Sequence, residues 1–416
     1  MCDTFVALGS QTFSGNTLIA KNSDREPEEA QALVHIPRKE HNTAFVQCTF
    51  IEIPQVTETY EVILSKPFQM WGAEMGVNEF GLAIGNEAVF TTVKMSRNNQ
   101  GLTGMDMIRL CLERCKSATE ALSLIQELLQ TYGQDAFGGY KNKSFYYHNS
   151  FIIADPKDSF VLETAGKSWA YKRIETSHSI SNGLGIHTDY DAFHVEIEKK
   201  SFPYFWRTAA DPFSFKDYFS DILYTQVGRA RQRQSCSLTL VQNLSQQGFR
   251  NAEAMGILKT HHVPDSEFSP NKASTACICM HATGLTNPST TTGSMVAELR
   301  KNGPHTIWLT GTSMPCLSIY IPFFLGTDTL EEFQVPTDKP DDSLWWQAEK
   351  LHQWICKDYQ NRKVDWQEET ERMQNTFLQQ EHELISANAS LEVLEEFSTQ
   401  ALFEVQDLYE NFLAKI

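Results

Sequence analysis

The sequence predicts an α+β protein in which a strand-rich body is followed by a helical C-terminal segment. Two observations indicate this class. Up to about residue 335, short segments rich in β-branched and aromatic residues alternate with turn residues, and helical spacing is confined to Met105 through Tyr132. After about residue 340, apolar residues recur with helical spacing as far as Ile416.

The strands are predicted from their composition and from the turn residues that bound them. The first two strands are joined by a short turn at Gly15 and Asn16, and a later three-strand meander turns at Asp155-Pro156 and Ala165-Gly166. In chain order the predicted strand segments are CDTFVAL, TLIAK, FVQCTFIEI, YEVILS, the meander SFIIADPKDSFVLETAGKSWAYKRI, TACICMH, TIWLTG and CLSIYIPFF.

The helices follow from apolar periodicity and capping residues. Ser117 and Glu120 have the spacing of a capping box for a helix that continues through Leu129. The Pro- and Asp-rich stretch QVPTDKPDDS predicts a linker, which divides a domain of residues 2–335 from an acidic, mainly helical extension of residues 336–416. The tryptophans predicted to pack this extension on the main domain are Trp345, Trp346 and Trp354.

The charge of the chain limits its partners. The 416 residues carry a formal charge of −17, and residues 341–416 contain 16 Asp and Glu against 6 Lys and Arg. Nucleic acids and anionic membranes require a basic footprint, so neither is expected as a partner. The acidic C-terminal helices are expected either to pack on the main domain or to mediate self-association of the chain.

The N-terminal segment and the apolar runs predict a cytoplasmic protein. No apolar run approaches the roughly 18 residues that span a membrane. The N-terminus MCDTFVALGS lacks the basic start and long apolar core of a signal peptide.

The nine cysteines show no even disulfide rhythm, which favours reduced thiols. Cys111 and Cys115 share a predicted helix face, and Cys277 and Cys279 share a predicted strand face. Neither pair has a partner pair at a recognisable zinc-ligand spacing, so no metal or cofactor is expected. The histidines in strand-like or loop segments that likewise suggest no metal site are His148, His187 and His281.

Cys2 is the candidate nucleophile. Removal of Met1 is permitted when the second residue is small, and Cys2 would then carry a free α-amine beside its thiol. An α-amine has a pKa of about 7.7–8.0, so it can accept the thiol proton and generate the attacking thiolate. The alternative interpretation is a small buried residue at the start of a strand.

The second predicted strand brings charged residues back to Cys2. If the first two strands form a hairpin, Lys21 to Asp24 return beside the N-terminus. A carboxylate there could orient the α-amine, and a cation there could lower the pKa of the thiol. The alternative is that both are ordinary charged residues near a turn.

The motifs CDTFVAL and IAKNSDR resemble the secernins and the dipeptidase A family, which belong to the N-terminal-nucleophile (Ntn) hydrolases. The resemblance covers residues 2–325, and its most specific block is WGAEMGVNEFGLAIGNEAVF. It implies a four-layer αββα sandwich of two stacked antiparallel sheets, with which the strand-rich pattern is compatible. The other matching motifs are CTFIEI, TYEVILSKP, YHNSFIIAD, VLETAGKSWA, ISNGLGI, TTGSMVAEL and LTGTSMPCLSIYIPF.

The resemblance assigns roles to residues near the N-terminus. Cys2 matches the family nucleophile, and Asp24 matches the acid that holds the α-amine in related amidases. Lys21 stands where distant relatives have an arginine near the thiol. Lysine keeps the positive charge but loses the bidentate geometry of a guanidinium.

The same resemblance implies roles for three residues further along the chain. Asn86 and Asn182 match the positions of oxyanion-hole residues, and an Asn amide can donate to the charge that develops on a tetrahedral intermediate. Each could instead be a turn residue beside glycine. Arg229 is a weaker match to a final active-site arginine, and Arg231 is its rival.

The resemblance implies the activity of a cysteine dipeptidase that cleaves a small peptide or amide substrate through a thioester on Cys2. The alternatives are an acylase that cleaves non-peptide amides and a secernin-like regulatory or scaffold protein with little hydrolysis. Animal secernins carry a longer leader, whereas Met1 alone precedes Cys2 here, which favours the simple enzyme. Glu74, Glu79 and Glu87 could read a substrate amine, but support of the hairpin is the favoured interpretation.

Overall fold

The computed structural model describes residues 1–196, 199–200, 204, 209–221 and 228–416. The strands in these ranges are β1 (Asp3–Ala7), β2 (Thr17–Arg25), β3 (Gln31–Ile36), β4 (Lys39–Glu40), β5 (Phe45–Gln47), β6 (Glu52–Pro54), β7 (Glu58–Thr59), β8 (Val62–Pro67), β9 (Met75–Asn78), β10 (Ala83–Val89), β11 (His148–Ala154), β12 (Ser159–Ala165), β13 (Ser168–Arg173), β14 (Ser177–Ile180), β15 (Ala192–His194), β16 (Thr290–Leu299), β17 (Thr306–Leu309) and β18 (Ile321–Phe323). The α-helices in these ranges are α1 (Gly104–Arg114), α2 (Ala118–Tyr132), α3 (Phe215–Phe219), α4 (Ala230–Ser245), α5 (Asn251–Leu258), α6 (Leu344–Cys356), α7 (Tyr359–Ser386) and α8 (Leu391–Leu413).

Two large antiparallel sheets form the centre of the molecule. One has six strands in the order β14-β1-β2-β16-β17-β18. The other has eight strands in the order β15-β13-β12-β11-β10-β9-β8-β3. Two small two-stranded sheets, β4-β7 and β5-β6, are separate from them.

The sheets stack face to face between two helical layers. Strand β1 packs on β10 and β11 across the interface between the sheets. Helices α1 and α2 cover the outer face of the eight-stranded sheet, and α4 and α5 cover the outer face of the six-stranded sheet. Apolar side chains of both sheets belong to one buried cluster. The four-layer αββα sandwich predicted from the family resemblance is therefore confirmed.

The helical stretch predicted between Met105 and Tyr132 consists of two helices. Thr103 and Asp106 form a capping box at the start of α1. Ser117 caps α2 as predicted, because its hydroxyl accepts a hydrogen bond from the backbone N–H of Glu120 at 3.3 Å. The reciprocal bond of the predicted capping box does not form, because the Glu120 carboxylate accepts from the N–H of Lys116 at 2.7 Å.

The C-terminal helices share the core of the six-stranded sheet. Apolar residues of α6, α7 and α8 belong to the same buried cluster as β16, β17 and β18. Trp345 donates its indole N–H to the carbonyl of Thr292 at 2.9 Å and packs edge-on against Trp346. Trp354 instead lies beneath the guanidinium of Arg362, within the extension. Within the described ranges, the helices are too short or too polar to cross a membrane.

The predicted strand TACICMH is wrong. Its backbone forms no ladder, because Ile278 and Cys279 both donate their N–H groups to the carbonyl of Thr260. Side chains of β2 and β16 also form hydrogen bonds with the backbone of this segment. Asn22 donates to the carbonyl of Ile278 at 3.0 Å, and Met280 donates its N–H to the hydroxyl of Thr291 at 2.9 Å. The segment is thus an irregular crossing held from several sides.

Candidate active site

The first hairpin brings Cys2 and Asp24 together as the sequence predicts. Strands β1 and β2 pair antiparallel with Asp3 opposite Asn22, so the residue before Asp3 lies beside the end of β2. The backbone N–H of Asp24 donates to the Cys2 sulfur at 3.3 Å. The thiol lies within reach of the Asp24 carbonyl at 3.8 Å and of a Glu74 carboxylate oxygen at 4.0 Å.

Alternation along β1 explains which layer each side chain contacts. Successive side chains of a strand point to opposite faces of the sheet. Cys2 and Thr4 face the eight-stranded sheet, where they contact Glu74 and Glu87. Asp3 faces the other way and forms an ion pair with the buried Arg233 of α4, with 2.6 Å between Oδ2 and Nη1.

The nitrogen of Cys2 is held by an amide side chain. It donates to Oδ1 of Asn182 at 2.8 Å. In the chain that begins at Met1 this nitrogen is a peptide nitrogen, and the Met1 ammonium donates to the Asp24 carbonyl at 3.2 Å. The pocket around Cys2 thus binds the N-terminal backbone on both sides of the first peptide bond.

The two carboxylate oxygens of Asp24 differ in their contacts. Its Oδ1 accepts a hydrogen bond from the Thr291 hydroxyl at 2.6 Å. Its Oδ2 is buried and has no hydrogen-bond partner within the described part of the chain. Burial raises the pKa of Asp24 to about 6, although the N-terminal ammonium opposes this rise. A buried carboxylate with a free acceptor is suited to bind an additional N–H donor.

Lys21 is completely buried between the two sheets. Its ammonium donates to the main-chain carbonyl of Asn86 at 2.6 Å and to Glu87 at 3.2 Å, and Thr4 donates to the same Glu87 oxygen at 2.5 Å. Gly85 permits this approach, because a Cβ atom there would lie 2.6 Å from Cδ of Lys21. Burial opposes the charge of Lys21, but Glu87, Cys2 and Glu74 together raise its pKa.

The thiol of Cys2 is protonated at neutral pH in this setting. Burial raises its pKa to about 11, against the lowering effects of Lys21 and the N-terminal ammonium. The nearby carboxylates of Glu74 and Asp24 raise it further. A thiol of this kind needs a base to accept its proton before it can attack.

A chain of amide side chains fixes the orientation of Asn86. The carbonyl of Gly166 can only accept, so the Gln134 amide nitrogen must donate to it, at 2.6 Å. The Gln134 oxygen then accepts from Asn149, whose oxygen accepts from Nδ2 of Asn86, both at 2.9 Å. Gly104 leaves room for this chain, because a Cβ there would lie 2.0 Å from Oδ1 of Asn149.

Within the described ranges, the amide nitrogens of Asn86 and Asn182 each donate one hydrogen bond. Nδ2 of Asn182 donates to the carbonyl of Ala88 at 2.9 Å, and Nδ2 of Asn86 donates to Asn149. An amide nitrogen carries two hydrogens, so one remains on each residue. Both residues line the same cavity as Cys2.

The arginine that reaches this cluster is Arg233. Its guanidinium donates to the Cys2 carbonyl at 3.1 Å and to Oδ1 of Asn182 at 2.7 Å, in addition to the bond to Asp3. The residues that the sequence analysis singled out, Arg229 and Arg231, are exposed, and Arg229 donates to Ser274 at 2.9 Å. The structure thus brings Arg233 into contact with Cys2 and Asn182, and the catalytic role of Arg229 or Arg231 stays a prediction.

A helical pattern in the sequence contained the signal for Arg233. The buried residues of α4 are Ala230, Arg233, Ser237 and Val241, which follow the spacing of one helix face. Arg229 precedes this face as the N-cap residue. If residues 230–245 are recognised as a helix, this spacing places Arg233 on the face toward the sheet and leaves Arg229 and Arg231 off that face.

A cavity of about 210 Å³ opens over the Cys2 thiol. Glu74 lies in its wall and is held by Arg25 at 3.0 Å, and Arg25 also binds Glu29. Glu87 pairs with Lys21, and Glu79 pairs with Arg38 near the surface. Of the three glutamates, Glu74 is thus the one that lines the cavity. The aromatic residues of its wall are Phe90, Phe145 and Tyr147.

Part of the chain is similar to known proteins. Residues 12–175 match the family model of acyl-coenzyme A:6-aminopenicillanic acid acyl-transferase. A region of 187 residues, 42% of this chain, is 27% identical to probable dipeptidase B of Lactococcus lactis subsp. lactis (strain IL1403). This region spans only 36% of that relative's length. Membership of the secernin and dipeptidase A family stays a prediction.

Solved structures with low sequence identity also resemble the chain. Penicillin V acylase from Agrobacterium tumefaciens is 13% identical, with 77% of this chain and 86% of that chain covered and a TM-score of 0.43. The C2A mutant of conjugated bile acid hydrolase from Clostridium perfringens is 13% identical, with 82% and 98% covered and a TM-score of 0.46. The N-acylethanolamine-hydrolyzing acid amidase ortholog of Caenorhabditis elegans is 10% identical, with 71% and 92% covered and a TM-score of 0.40.

Proposed function

We propose that this chain is an N-terminal cysteine amidohydrolase that cleaves dipeptides through a thioester on Cys2. The observation that carries the proposal is the environment of the Cys2 backbone nitrogen. Asn182 accepts from it, and a free oxygen of Asp24 lies buried in the same cavity. Once Met1 is removed, that nitrogen becomes an α-amine with two acceptors to orient it.

The chemistry then needs no other base. The neutral α-amine accepts the thiol proton, directly or through one water, as the sulfur attacks the carbonyl carbon of the substrate. The remaining hydrogens of Asn86 and Asn182 stabilise the oxyanion. The α-ammonium returns the proton to the leaving amine, which departs as the thioester forms. Water then attacks the thioester, the amine again accepts a proton, and the thiol is released with the acid product.

The position of Glu74 favours a substrate with a free amino terminus. In such a peptide, standard bond lengths place the amino nitrogen about 2.5 Å from the first carbonyl carbon. A carboxylate oxygen 4.0 Å from the attacking sulfur is therefore within reach of the substrate ammonium. The match to a probable dipeptidase adds support from an independent direction.

The aromatic wall of the cavity supports a second candidate. Phe90, Phe145 and Tyr147 could pack against an apolar acyl group, as in cleavage of a non-peptide amide. The match to an acyl-transferase family model is consistent with this alternative. The two candidates differ in whether they require a positively charged group on the substrate.

A substrate comparison tests the proposal. Chain whose intact mass shows Cys2 at the N-terminus is incubated with a dipeptide panel and with the Nα-acetylated forms of the same dipeptides. We expect kcat/KM to be about 10- to 100-fold higher for the free dipeptides, since a charge-assisted hydrogen bond contributes about 1.5–3 kcal/mol. Glu74→Gln should remove most of this preference.

Glu79→Gln is the matched control, because Glu79 pairs with Arg38 outside the cavity. It should leave the preference unchanged. Equal cleavage of acetylated substrates would favour the acylase. A Cys2-terminated chain that cleaves neither class would contradict the hydrolase proposal and favour a regulatory or scaffold role.

A further inference from the structure

A cluster of two histidines and two cysteines lies outside the lining of the Cys2 cavity. His261, Cys279, His281 and Cys316 each offer one nitrogen or sulfur atom, and these four atoms lie within 4.8 Å of one another. The residues come from the turn after α5, from the irregular crossing segment at residues 277–281, and from the short 3-10 helix Pro315–Leu317. Their convergence depends on the tertiary fold.

The separations agree with tetrahedral coordination. Zn–S bonds of about 2.3 Å and Zn–N bonds of about 2.0–2.1 Å place a sulfur and a nitrogen ligand about 3.5 Å apart. Nε2 of His281 lies 3.6 Å from the Cys279 sulfur and 3.4 Å from the Cys316 sulfur. The widest separation in the cluster needs to contract by only about 1 Å to meet the same geometry.

His261 has the surroundings of a metal ligand. Its ring stacks on Phe268 at 3.5 Å, and its Nε2 is buried without a hydrogen-bond partner in the described part of the chain. Its other nitrogen lies 3.9 Å from a carboxylate oxygen of Asp265. Tyr359 donates to Asp265 at 3.0 Å, and Lys363 pairs with it. A carboxylate hydrogen-bonded to the second ring nitrogen is the usual support of a zinc-binding histidine, and Asp265 needs to approach by about 1 Å to form that bond.

Charge and donor type favour zinc among the common metals. Two thiolates and two neutral imidazoles around Zn²⁺ form a centre with no net charge, which lowers the cost of burial. Sulfur and imidazole donors suit this borderline-soft ion, whereas Mg²⁺ and Ca²⁺ prefer oxygen. Four protein ligands fill the tetrahedron, as in structural sites, and leave no position for water or substrate.

We propose that His261, Cys279, His281 and Cys316 bind one Zn²⁺ as a closed structural site. The metal fastens the crossing segment to the turn after α5 and to the 3-10 helix. That segment reaches the catalytic cluster, because Met280 donates to the hydroxyl of Thr291, which donates to Asp24. The 3-10 helix reaches the C-terminal helices, because Trp366 donates to the carbonyl of Leu317 at 2.8 Å.

Metal analysis of the purified full chain tests the proposal. Inductively coupled plasma mass spectrometry should find about one zinc per chain in the wild type. Cys316→Ser and His281→Ala should each reduce the zinc content to less than about a tenth. Cys277→Ser is the matched control, because this buried cysteine contacts His262 and lies outside the cluster. It should retain zinc.

A spectroscopic titration of the wild-type chain tests the same site even if the variants do not fold. Wild-type chain stripped with a chelator should take up one Co²⁺ and develop the visible bands and thiolate charge-transfer absorption of a tetrahedral site. One equivalent of Zn²⁺ should displace the cobalt and restore the thermal midpoint that chelation lowered. The proposal is overturned by wild-type chain that neither contains zinc nor binds Co²⁺, by a Cys279–Cys316 disulfide in peptide mapping, or by zinc loss in Cys277→Ser.

Discussion

Replacing Arg233 with methionine removes a buried cation while keeping much of its aliphatic volume. The guanidinium is fully buried, and its partners are the equally buried Asp3 carboxylate, the Cys2 carbonyl and Asn182. Breaking a buried ion pair by removing one partner costs about 3–5 kcal/mol, because the other charge is left uncompensated. We therefore expect Arg233→Met to lower the free energy of unfolding by about that amount at pH 8.

The pH dependence distinguishes this mechanism from simple loss of packing. Burial already raises the pKa of Asp3, and Arg233 opposes that rise. Without Arg233 the pKa of Asp3 rises further, so the carboxyl takes up a proton more readily in the folded state. The destabilisation should accordingly be largest at alkaline pH and should shrink as the pH falls. Adding Asp3→Asn to the variant should recover much of the loss at pH 8.

Urea unfolding followed by tryptophan fluorescence measures these differences. Arg229→Met and Arg231→Met are the controls, because both arginines are exposed and surface changes usually stay within about 0.5 kcal/mol. Turnover of folded Arg233→Met should fall by about 10²-fold, since Asn182 and the Cys2 backbone lose a shared donor that fixes their geometry. A free energy of unfolding within about 1 kcal/mol of the wild type, independent of pH, would refute the argument.

Four further predictions concern the nucleophile and its neighbours. Cys2→Ala should abolish hydrolysis while leaving the fold intact, and Cys2→Ser should retain at most a trace; full activity of Cys2→Ala would move the chemistry elsewhere. Wild-type turnover should fall in two steps as the pH decreases, first below about 8, where the α-amine is protonated and cannot accept the thiol proton, and again through about 6, where the protonated Asp24 loses its acceptor for the amine; a pH–rate profile of Asp24→Asn should show low turnover without the second step. The raised pKa of Asp24 means that its ionised form costs stability above pH 6, so Asp24→Asn should not lower the thermal midpoint at pH 8; a lower midpoint would show that the charge is stabilising. Lys21→Met combined with Glu87→Gln removes a buried pair together and should raise the pKa of the Cys2 thiol, because a cation near the sulfur is lost; the pH dependence of thiol alkylation measures this, and an unchanged thiol pKa would show that Lys21 does not act on Cys2.

The parts of the site that could be predicted from sequence are those that a short hairpin brings together. Cys2 and Asp24 are separated by 22 positions and one turn, so strand pairing alone places them side by side. The two sheets required the family resemblance, because alternation of apolar residues specifies strands but not which strands pair. The division of the chain at residue 335 and association through the C-terminal helices stay predictions.

The parts that could not be predicted depend on how separate elements dock. Arg233 is 231 positions from Cys2 and reaches it because α4 packs on β1 and β14. The histidine and cysteine cluster has no recognisable ligand spacing, since residues 261, 279, 281 and 316 are spread over three segments. The predicted strand at TACICMH also concealed it, because a strand would direct Cys277 and Cys279 to one face. In the fold Cys277 contacts His262, whereas Cys279 contacts His281.

The electrostatics around Cys2 favour an amine base over a thiolate formed in advance. A buried cation could by itself stabilise the thiolate, and Lys21 does lower the pKa of the thiol. That effect is limited, because Lys21 is already paired with Glu87, and Glu74 and Asp24 add negative charge near the sulfur. The thiol consequently remains protonated until a group at hydrogen-bond distance accepts its proton. The α-amine that Met1 removal would create on the same residue, between Asn182 and the free oxygen of Asp24, can fill this role without any change elsewhere in the fold.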